Sequence, residues 1–535
     1  MKRLIFPILL FLLSILAVWP FIKTGFFSTH DGDWMVIRFS AFHQTLTAGQ
    51  FPTRFLDRLN NNYGYPVANF LYPLPFYAAE IPKVLKFGYV DSIKIVFVIS
   101  TIASVLAMYW ALKQRFTSLA AFAGAVIYLY IPYRFVDLYV RGSLGECLAF
   151  VFPPICIGAI YKISQGDKKY LPILSISTAL LIISHNVVAL LFLPLILLFI
   201  FFMQKNKKEM IMFLFIGILC SAFFVLPALY DLQYVRLSQI KVSEIANYLV
   251  SPLKILLPSW GFDPNPNSRG GMSVQFGIVS MAIVIAASYL LLVRNKREYN
   301  LITLIAVYIA IFFLMTVYSG SVWQNVPYID IVQFPWRLLA LIVFISAFLG
   351  AYLVDSFKNK KLIAALIICG SIISTLPYAL PHGTNNLPDT FYSTNESTTT
   401  VRDEYMPIWV KTTKSRAGEK IQVTPPAGLE NMSIRPASYS FNIKNTQNTN
   451  VIVNTVYFPG WQVKSNGVSV PINYHNPQGL ITFKLPKGES KVIIKYSKTP
   501  VHLLAEIISL AGLVVTGFFF YRLWRKQNSS KQNFL

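Results

Sequence analysis

What most constrains this chain is a recurring apolar run. Stretches of roughly 18 residues or more, almost free of charge, return along its whole length. Each is long enough to cross ~30 Å of hydrocarbon as a helix. Of 535 residues, 55% are hydrophobic and 13% charged, with a mean hydropathy of +0.52. That is too little charge to cover a water-soluble surface of this size. The first run, 5–22, is longer than a signal-peptide core and lacks a small-residue cleavage site, so it reads as a retained helix.

The formal net charge of +24 takes its meaning from its placement. Lysine and arginine fall into short clusters between apolar runs: Lys2/Arg3, Lys113/Arg115, Lys162/Lys168/Lys169 and Lys205/Lys207/Lys208, then Arg294/Lys296/Arg297, Lys358/Lys360/Lys361 and Arg522/Arg525/Lys526. Such clusters orient helices and attract anionic lipid headgroups, so membrane lipids are expected partners. No basic face with interleaved aromatics occurs, which argues against nucleic acid. Cys147, Cys156, Cys220 and Cys369 lie in or beside apolar runs, which argues against a disulfide framework or a zinc site.

If every cluster faces the cytoplasm, the spans between them come in pairs. The reading that satisfies this has twelve: 4–22, 91–112, 117–132, 147–164, 171–184, 187–204, 209–229, 274–293, 300–318, 337–355, 361–379 and 502–523. Both termini are then cytoplasmic in a multi-pass protein of the cell membrane. The apolar segment 70–87 would invert every later cluster if it crossed. It also carries Pro73, Pro75 and Pro82, so it is expected as a broken segment at the outer interface. The outer loops are 23–90, 133–146, 185–186, 230–273, 319–336 and 380–501, whereas the inner ones are short and basic. Function is expected outside, where the long loops lie.

Between 381 and 500 the pattern changes to short β-prone runs: 420–423, 439–443, 450–456, 462–463, 468–472, 480–485 and 491–496. Ser465-Asn466-Gly467 and Pro486-Lys487-Gly488 supply turns, and 393–400 is a polar linker. A compact antiparallel β-sandwich is expected, tethered at both ends by membrane helices.

The densest chemistry is in the first outer loop, at Thr29-His30-Asp31-Gly32-Asp33-Trp34, followed by Arg38 and His43. Two carboxylates separated by one glycine can converge to bind a divalent cation, orient a hydroxyl or act as a general base. They equally suit an Asp-Gly turn and the cap of a helix over 34–48. Arg134 and Arg141 in the second outer loop, and Trp336-Arg337 before the tenth span, place arginines on the outer side against the usual charge bias. Guanidinium binds phosphate bidentately, but the same residues suit interfacial anchoring, with Tyr133 and Trp336 in an aromatic belt. His185 fits an acid–base or phosphate-donor role, or a hydrogen-bonded place between helices. Glu146 at a span edge reads as functional or as the structural partner of Arg141. The sequons at Asn395 and Asn431 are too short a pattern to imply glycosylation.

The order of motifs resembles a known family. Asp31-Gly32-Asp33, Arg38, Gly49-Gln-Phe-Pro-Thr-Arg54, Gly64-Tyr-Pro66 and Phe70-Leu-Tyr-Pro-Leu-Pro75 look like the opening of GT-C membrane glycosyltransferases. With Arg141-Gly-Ser-Leu-Gly-Glu146, Ser184-His-Asn186, Gln333-Phe-Pro-Trp-Arg337, Asp403-Glu-Tyr-Met-Pro407 and Tyr457-Phe-Pro-Gly-Trp461, the chain resembles bacterial "6-pyruvoyl-tetrahydropterin synthase-related" membrane proteins within that superfamily. The family title does not carry over as an activity. Histidines 30, 43, 185, 382, 475 and 502 are scattered, and no zinc-ligand spacing links them.

The resemblance implies a GT-C-like transmembrane domain over 1–380, an extracytoplasmic β-sandwich over 381–500, and a last helix with a basic tail over 501–535. It implies transfer of a sugar from a polyprenyl-phosphate donor to a glycan or lipid acceptor of the cell envelope. Asp31 maps to the usual catalytic position, with Asp33 second, and a Mg or Mn ion at the pair is permitted but not required. Arg337, Arg141 and Arg134 become phosphate ligands, with His185, Trp336 and Glu146 beside the substrate. The alternatives are a flippase for lipid-linked precursors, which would carry mid-span charges and repeated halves, and a glycan-binding scaffold.

Overall fold

The computed structural model describes residues 4–532 except 242, 295–297, 328, 399–402, 413, 414 and 417, without side chains at 294, 330 and 526–532. Lys2, Arg3, Lys296 and Arg297 of the basic clusters, the end of the 393–400 linker, and the side chains of Arg294 and Lys526 therefore lie outside the described residues. The chain is mostly helical and ends in a β-sheet region closed off by one more helix. Every one of the twelve apolar runs holds helix, and 70–87 holds only the 11-residue helix Leu74–Val84, with Pro82 inside it.

Among the described residues, six helices are long and apolar enough to cross a membrane: Ile5–Ile22, Tyr89–Leu112, Leu144–Ser164, Pro335–Ser356, Lys360–Tyr378 and Pro500–Arg525. Two bent pairs raise the number to eight if each is one span. Ser118–Leu129 turns 44° into Pro132–Arg141, and Lys207–Cys220 turns 63° into Ala222–Tyr234. Three shorter apolar helices accompany them: Asn186–Phe202, Ile278–Val293 and Tyr299–Met315. Burial separates interior helices from rim helices. The Pro335–Ser356 window is 94% buried, whereas that of Pro500–Arg525 is 22% buried although equally apolar. A helix apolar all round belongs in the middle of a bundle or against lipid, and the fold uses both solutions. The central helix meets Ser118–Leu129 closely because Gly124 faces it; a Cβ there would lie 2.6 Å from the Ala347 carbonyl oxygen.

Two short strands, β1 (Phe26–Phe27) and β2 (Thr384–Asn385), pair antiparallel and join the first loop to the chain leaving the helical part. The C-terminal strands are β3 (Ile421–Thr424), β4 (Leu429–Arg435), β5 (Ser438–Asn445), β6 (Thr449–Val456), β7 (Trp461–Ser465), β8 (Val468–Val470), β9 (Leu480–Leu485) and β10 (Gly488–Tyr496). They form a five-stranded sheet, β4-β5-β10-β7-β8, and a three-stranded sheet, β3-β6-β9. Period-two alternation sets which face is buried: Val492, Ile494 and Tyr496 point inward from β10, and Lys491, Ile493 and Lys495 outward. Phe441, Val463 and Val492 from one sheet share a core with Val451, Ile481 and Phe483 from the other. The sequence pattern had marked all of these strands but β4, whose exposed edge lacks alternation and whose pairing shifts register between Glu430 and Ser433.

The sheets do not stand apart from the rest. Phe55 and Phe70 of the 23–90 segment belong to their apolar core, with Phe55 edge-on to Trp461 at 5.4 Å. Lys420 and the Tyr439 hydroxyl both donate to Asp57, with the lysine at 3.2 Å. The lysine also donates to the Asn62 carbonyl at 2.6 Å. Arg58 ties the same segment to 392–395, donating to the carbonyls of Tyr392, Ser393 and Asn395 and to Gln44 and Ser40.

Candidate functional site

Asp31 is positioned by backbone rather than by side-chain bonds. His30 and Asp31 donate their amides to the carbonyls of Val140 and Arg141 at 3.0 and 2.8 Å, stitching the first loop onto the turn before Gly142. Gly142 has φ +64°, and a Cβ there would sit 2.4 Å from Thr29 Oγ1, so glycine is required at this crossing. Asp31 then starts the helix Gly32–Thr47, close to the helix expected over 34–48. Asp31, Met35 and Arg38 fall at i, i+4 and i+7, on one face of the chain, and all three line the same cavity.

That cavity measures about 400 Å³. Its walls come from six stretches far apart in sequence, His30–Arg38, Phe70–Tyr72, Arg141–Ser143, His185–Val187, Gln333–Arg337 and Glu404–Tyr405, together with Leu237, Tyr248 and Pro264. Of the residues singled out from sequence, Asp31, Arg141, His185, Trp336 and Arg337 line it together.

The others are placed differently. Asp33 does not converge with Asp31. Its two oxygens accept the Tyr392 hydroxyl at 2.8 Å and the Asn385 amide at 3.0 Å, so it anchors the 384–392 segment. A one-residue spacer at a helix start turns consecutive side chains to different sides, and Asp33 is already inside the helix. A cation held by both carboxylates does not fit this arrangement. Among the described residues no group of three or more His, Cys, Asp or Glu could hold a metal ion.

Arg134 also departs from the expected set. It is 1% exposed, donates to Ser104 at 3.0 Å and lies 4.3 Å from the Phe150 ring centre, away from the cavity lining. Arg141 reaches the cavity, but its guanidinium is held by acids, at 2.8 Å from Asp137 and 2.5 Å from Glu146. Tyr133 donates its hydroxyl to the other Glu146 oxygen at 2.6 Å. Glu146 is thus the structural partner of Arg141, as the second of its two sequence readings had it.

Two imidazoles border the site with assignable tautomers. His30 Nε2 meets the Phe262 carbonyl at 2.6 Å, so it donates there and Nδ1 is the bare nitrogen. Burial holds this imidazole below its ordinary value near 6.5. His185 is the reverse: Nδ1 accepts the Val188 amide at 3.2 Å, capping the helix Asn186–Phe202, and Nε2 carries the proton. Its ring lies 4.7 Å from that of Tyr72.

Arg38 was noticed in the sequence but given no role. It is 8% exposed, lines the cavity, and has no hydrogen-bond or ion-pair partner among the described residues. Its signal was helical phase relative to Asp31, which becomes usable once the helix start is known.

The bundle of apolar helices with a charged cavity at its end defines an integral membrane protein. A family of membrane proteins described as "6-pyruvoyl-tetrahydropterin synthase related domain" matches residues 69–381, more than half of the chain, and this protein belongs to it. The match takes in Arg141, His185, Trp336 and Arg337 and begins after Asp31 and Arg38. An uncharacterized protein of Lactococcus lactis subsp. cremoris (strain MG1363) is 24% identical over 244 residues, covering 43% of this chain and 40% of that protein.

Proposed function

We propose that this protein is a GT-C-type glycosyltransferase that moves a sugar from a polyprenyl-phosphate donor to a cell-envelope acceptor. In this reading the twelve apolar runs are spans, both termini are cytoplasmic, and the cavity and β-sheet region lie on the outer face of the cell membrane. The observation that carries it is Asp31: a carboxylate with no side-chain donor among the described residues, in a cavity that also holds Arg337, at the catalytic position the family resemblance implies.

The chemistry follows from that carboxylate. Asp31 takes the proton of the acceptor hydroxyl as its oxygen bonds to the anomeric carbon. The bond from that carbon to the phosphate oxygen breaks, and the polyprenyl phosphate leaves with the electron pair. One displacement inverts the anomeric centre. Asp33 supports the reaction by holding the 384–392 segment.

The test is reconstitution in lipid with a panel of polyprenyl-phosphate sugars, comparing the wild type with Asp31→Asn and Asp33→Asn. The expected result is transfer by the wild type and loss of roughly 10²-fold or more in Asp31→Asn at unchanged fold. Full activity in Asp31→Asn, or a folded wild type that binds donors but never transfers or hydrolyses them, would overturn the proposal.

A further inference from the structure

We infer that Arg38 and Arg337 form a phosphate-ester subsite in this cavity, with Trp336 contributing its indole N–H. The inference rests on the proposed lipid-phosphate donor for its context, but its geometry stands independently.

Arginine stays charged in proteins, so a buried guanidinium without a carboxylate is costly unless a ligand supplies the acceptor. Arg38 is such a group. Arg337 is the second: it donates Nη1 to Gln333 Oε1 at 2.7 Å and to the Val332 carbonyl at 3.3 Å, and it makes no ion pair among the described residues. Its buried Nε–H has no acceptor among the described residues, nor has the Trp336 indole N–H. Trp336 is 6% exposed, so its polar edge is also cut off from bulk solvent. Two cationic residues and one indole in a single cavity therefore hold donors without protein acceptors.

Both cations line the one cavity. Arg38 and Arg337 both lie within electrostatic reach of the hydroxyls of Tyr72 and Tyr405. Arg141 is excluded as a third ligand because Asp137 and Glu146 already neutralise it. A tetrahedral phosphate monoanion or dianion offers several acceptor oxygens to forked donors, which a carboxylate matches less fully.

The helix fixes the spacing. Arg38 stands seven residues beyond Asp31, about 10 Å along the axis, and its side chain leaves the helix tilted back toward Asp31. An anion on Arg38 and a reacting hydroxyl at Asp31 would then face each other across the anomeric carbon.

The probes are farnesyl phosphate, farnesol and inorganic phosphate, offered to the full-length protein in detergent or nanodiscs and read by thermal shift and by the tryptophan fluorescence that wild type shows and Trp336→Phe lacks. Farnesyl phosphate is expected to bind roughly tenfold or more tightly than farnesol. Arg38→Gln and Arg337→Gln should each remove about that factor for farnesyl phosphate and leave farnesol unchanged. Arg38→Met should leave the ligand-free protein as stable as the wild type or more so, because it removes an uncompensated buried charge; a purely structural arginine would lose stability. Competition by inorganic phosphate would mark a subsite open to free phosphate. Its failure to compete, with farnesyl phosphate still bound through Arg38, would mark the lipid-linked ester as the ligand. Equal binding of farnesyl phosphate by wild type, Arg38→Gln and Arg337→Gln would overturn the subsite. Arginine-dependent phosphate binding with no sugar transfer would leave the subsite standing and remove the transferase reading. Undiminished transfer in both arginine variants would do the opposite.

Discussion

Asp33 accepts the Tyr392 hydroxyl at 2.8 Å, whereas Asp31, two residues earlier, has no side-chain donor among the described residues. The two acids of one tripeptide thus do different work. Asp33 fastens the chain leaving the helical part onto the first loop, beside the β1–β2 pair and the Arg58 contacts. Asp31 is left for the cavity.

Thermal unfolding separates the two roles. Asp33→Ala leaves the buried Tyr392 hydroxyl and the half-buried Asn385 amide without their acceptor and should cost about 1–3 kcal/mol. Asp31→Asn should change stability by less than about 0.5 kcal/mol, as expected where no contact is lost. Equal destabilisation by both would contradict the division.

Arg141 holds Asp137 and Glu146 together at 4% exposure or less for all three side chains. Arg141→Met strands two buried carboxylates and should cost about 3–5 kcal/mol, seen as poor yield and a lowered Tm. Adding Glu146→Gln to Arg141→Met should recover part of that loss. A double variant no more stable than the single one would argue that the pair is not coupled.

The Lys420–Asp57 pair docks the sheets on the first loop with both side chains nearly sealed from solvent. Lys420→Met should cost about 3–5 kcal/mol, and the protease sensitivity it creates should concentrate between 381 and 500 rather than in the helices. Tyr439→Phe removes the second donor to Asp57 and should cost less, about 1–2 kcal/mol. Protease cleavage spread evenly over the chain in Lys420→Met would count against a docking role.

His30 gives the fold a pH dependence of definite sign. Its folded value lies below the unfolded value near 6.5 because burial disfavours the charged ring. Above about 6.5 both states are neutral there and its contribution is fully present; as pH falls from 6.5 through the folded value, the unfolded state binds more proton and stability is lost. Comparing the wild type with His30→Asn at pH 7.5 and 5.5 should show a smaller acid loss in the variant. Identical slopes would remove His30 as the source.

Much of the architecture was legible from periodicity. Runs of 18 apolar residues and period-two alternation in β10 depend only on neighbours along the chain, so they mark helices and most strands. The edge strand β4 escaped because nothing pairs its outer side and its residues need not alternate. The break at 221–222 escaped because apolarity persists through a 63° bend.

The candidate site was legible only in part. Residue chemistry alone pointed to Asp31, Arg141, His185, Trp336 and Arg337, and these do line one cavity. Which of them are free was decided by contacts 4 to 359 residues away in sequence: Asp137 and Glu146 on Arg141, Tyr392 and Asn385 on Asp33, and Phe150 under Arg134. A charge's availability depends on whether an opposite charge or donor reaches it in space, which residue type and spacing do not state. The sequence by itself determined an apolar multi-helix chain with a β-rich segment before its last helix. Only the tertiary structure decided that Arg38, and not Arg134, faces Asp31's cavity, because helical phase and burial sort side chains that the sequence presents as equals.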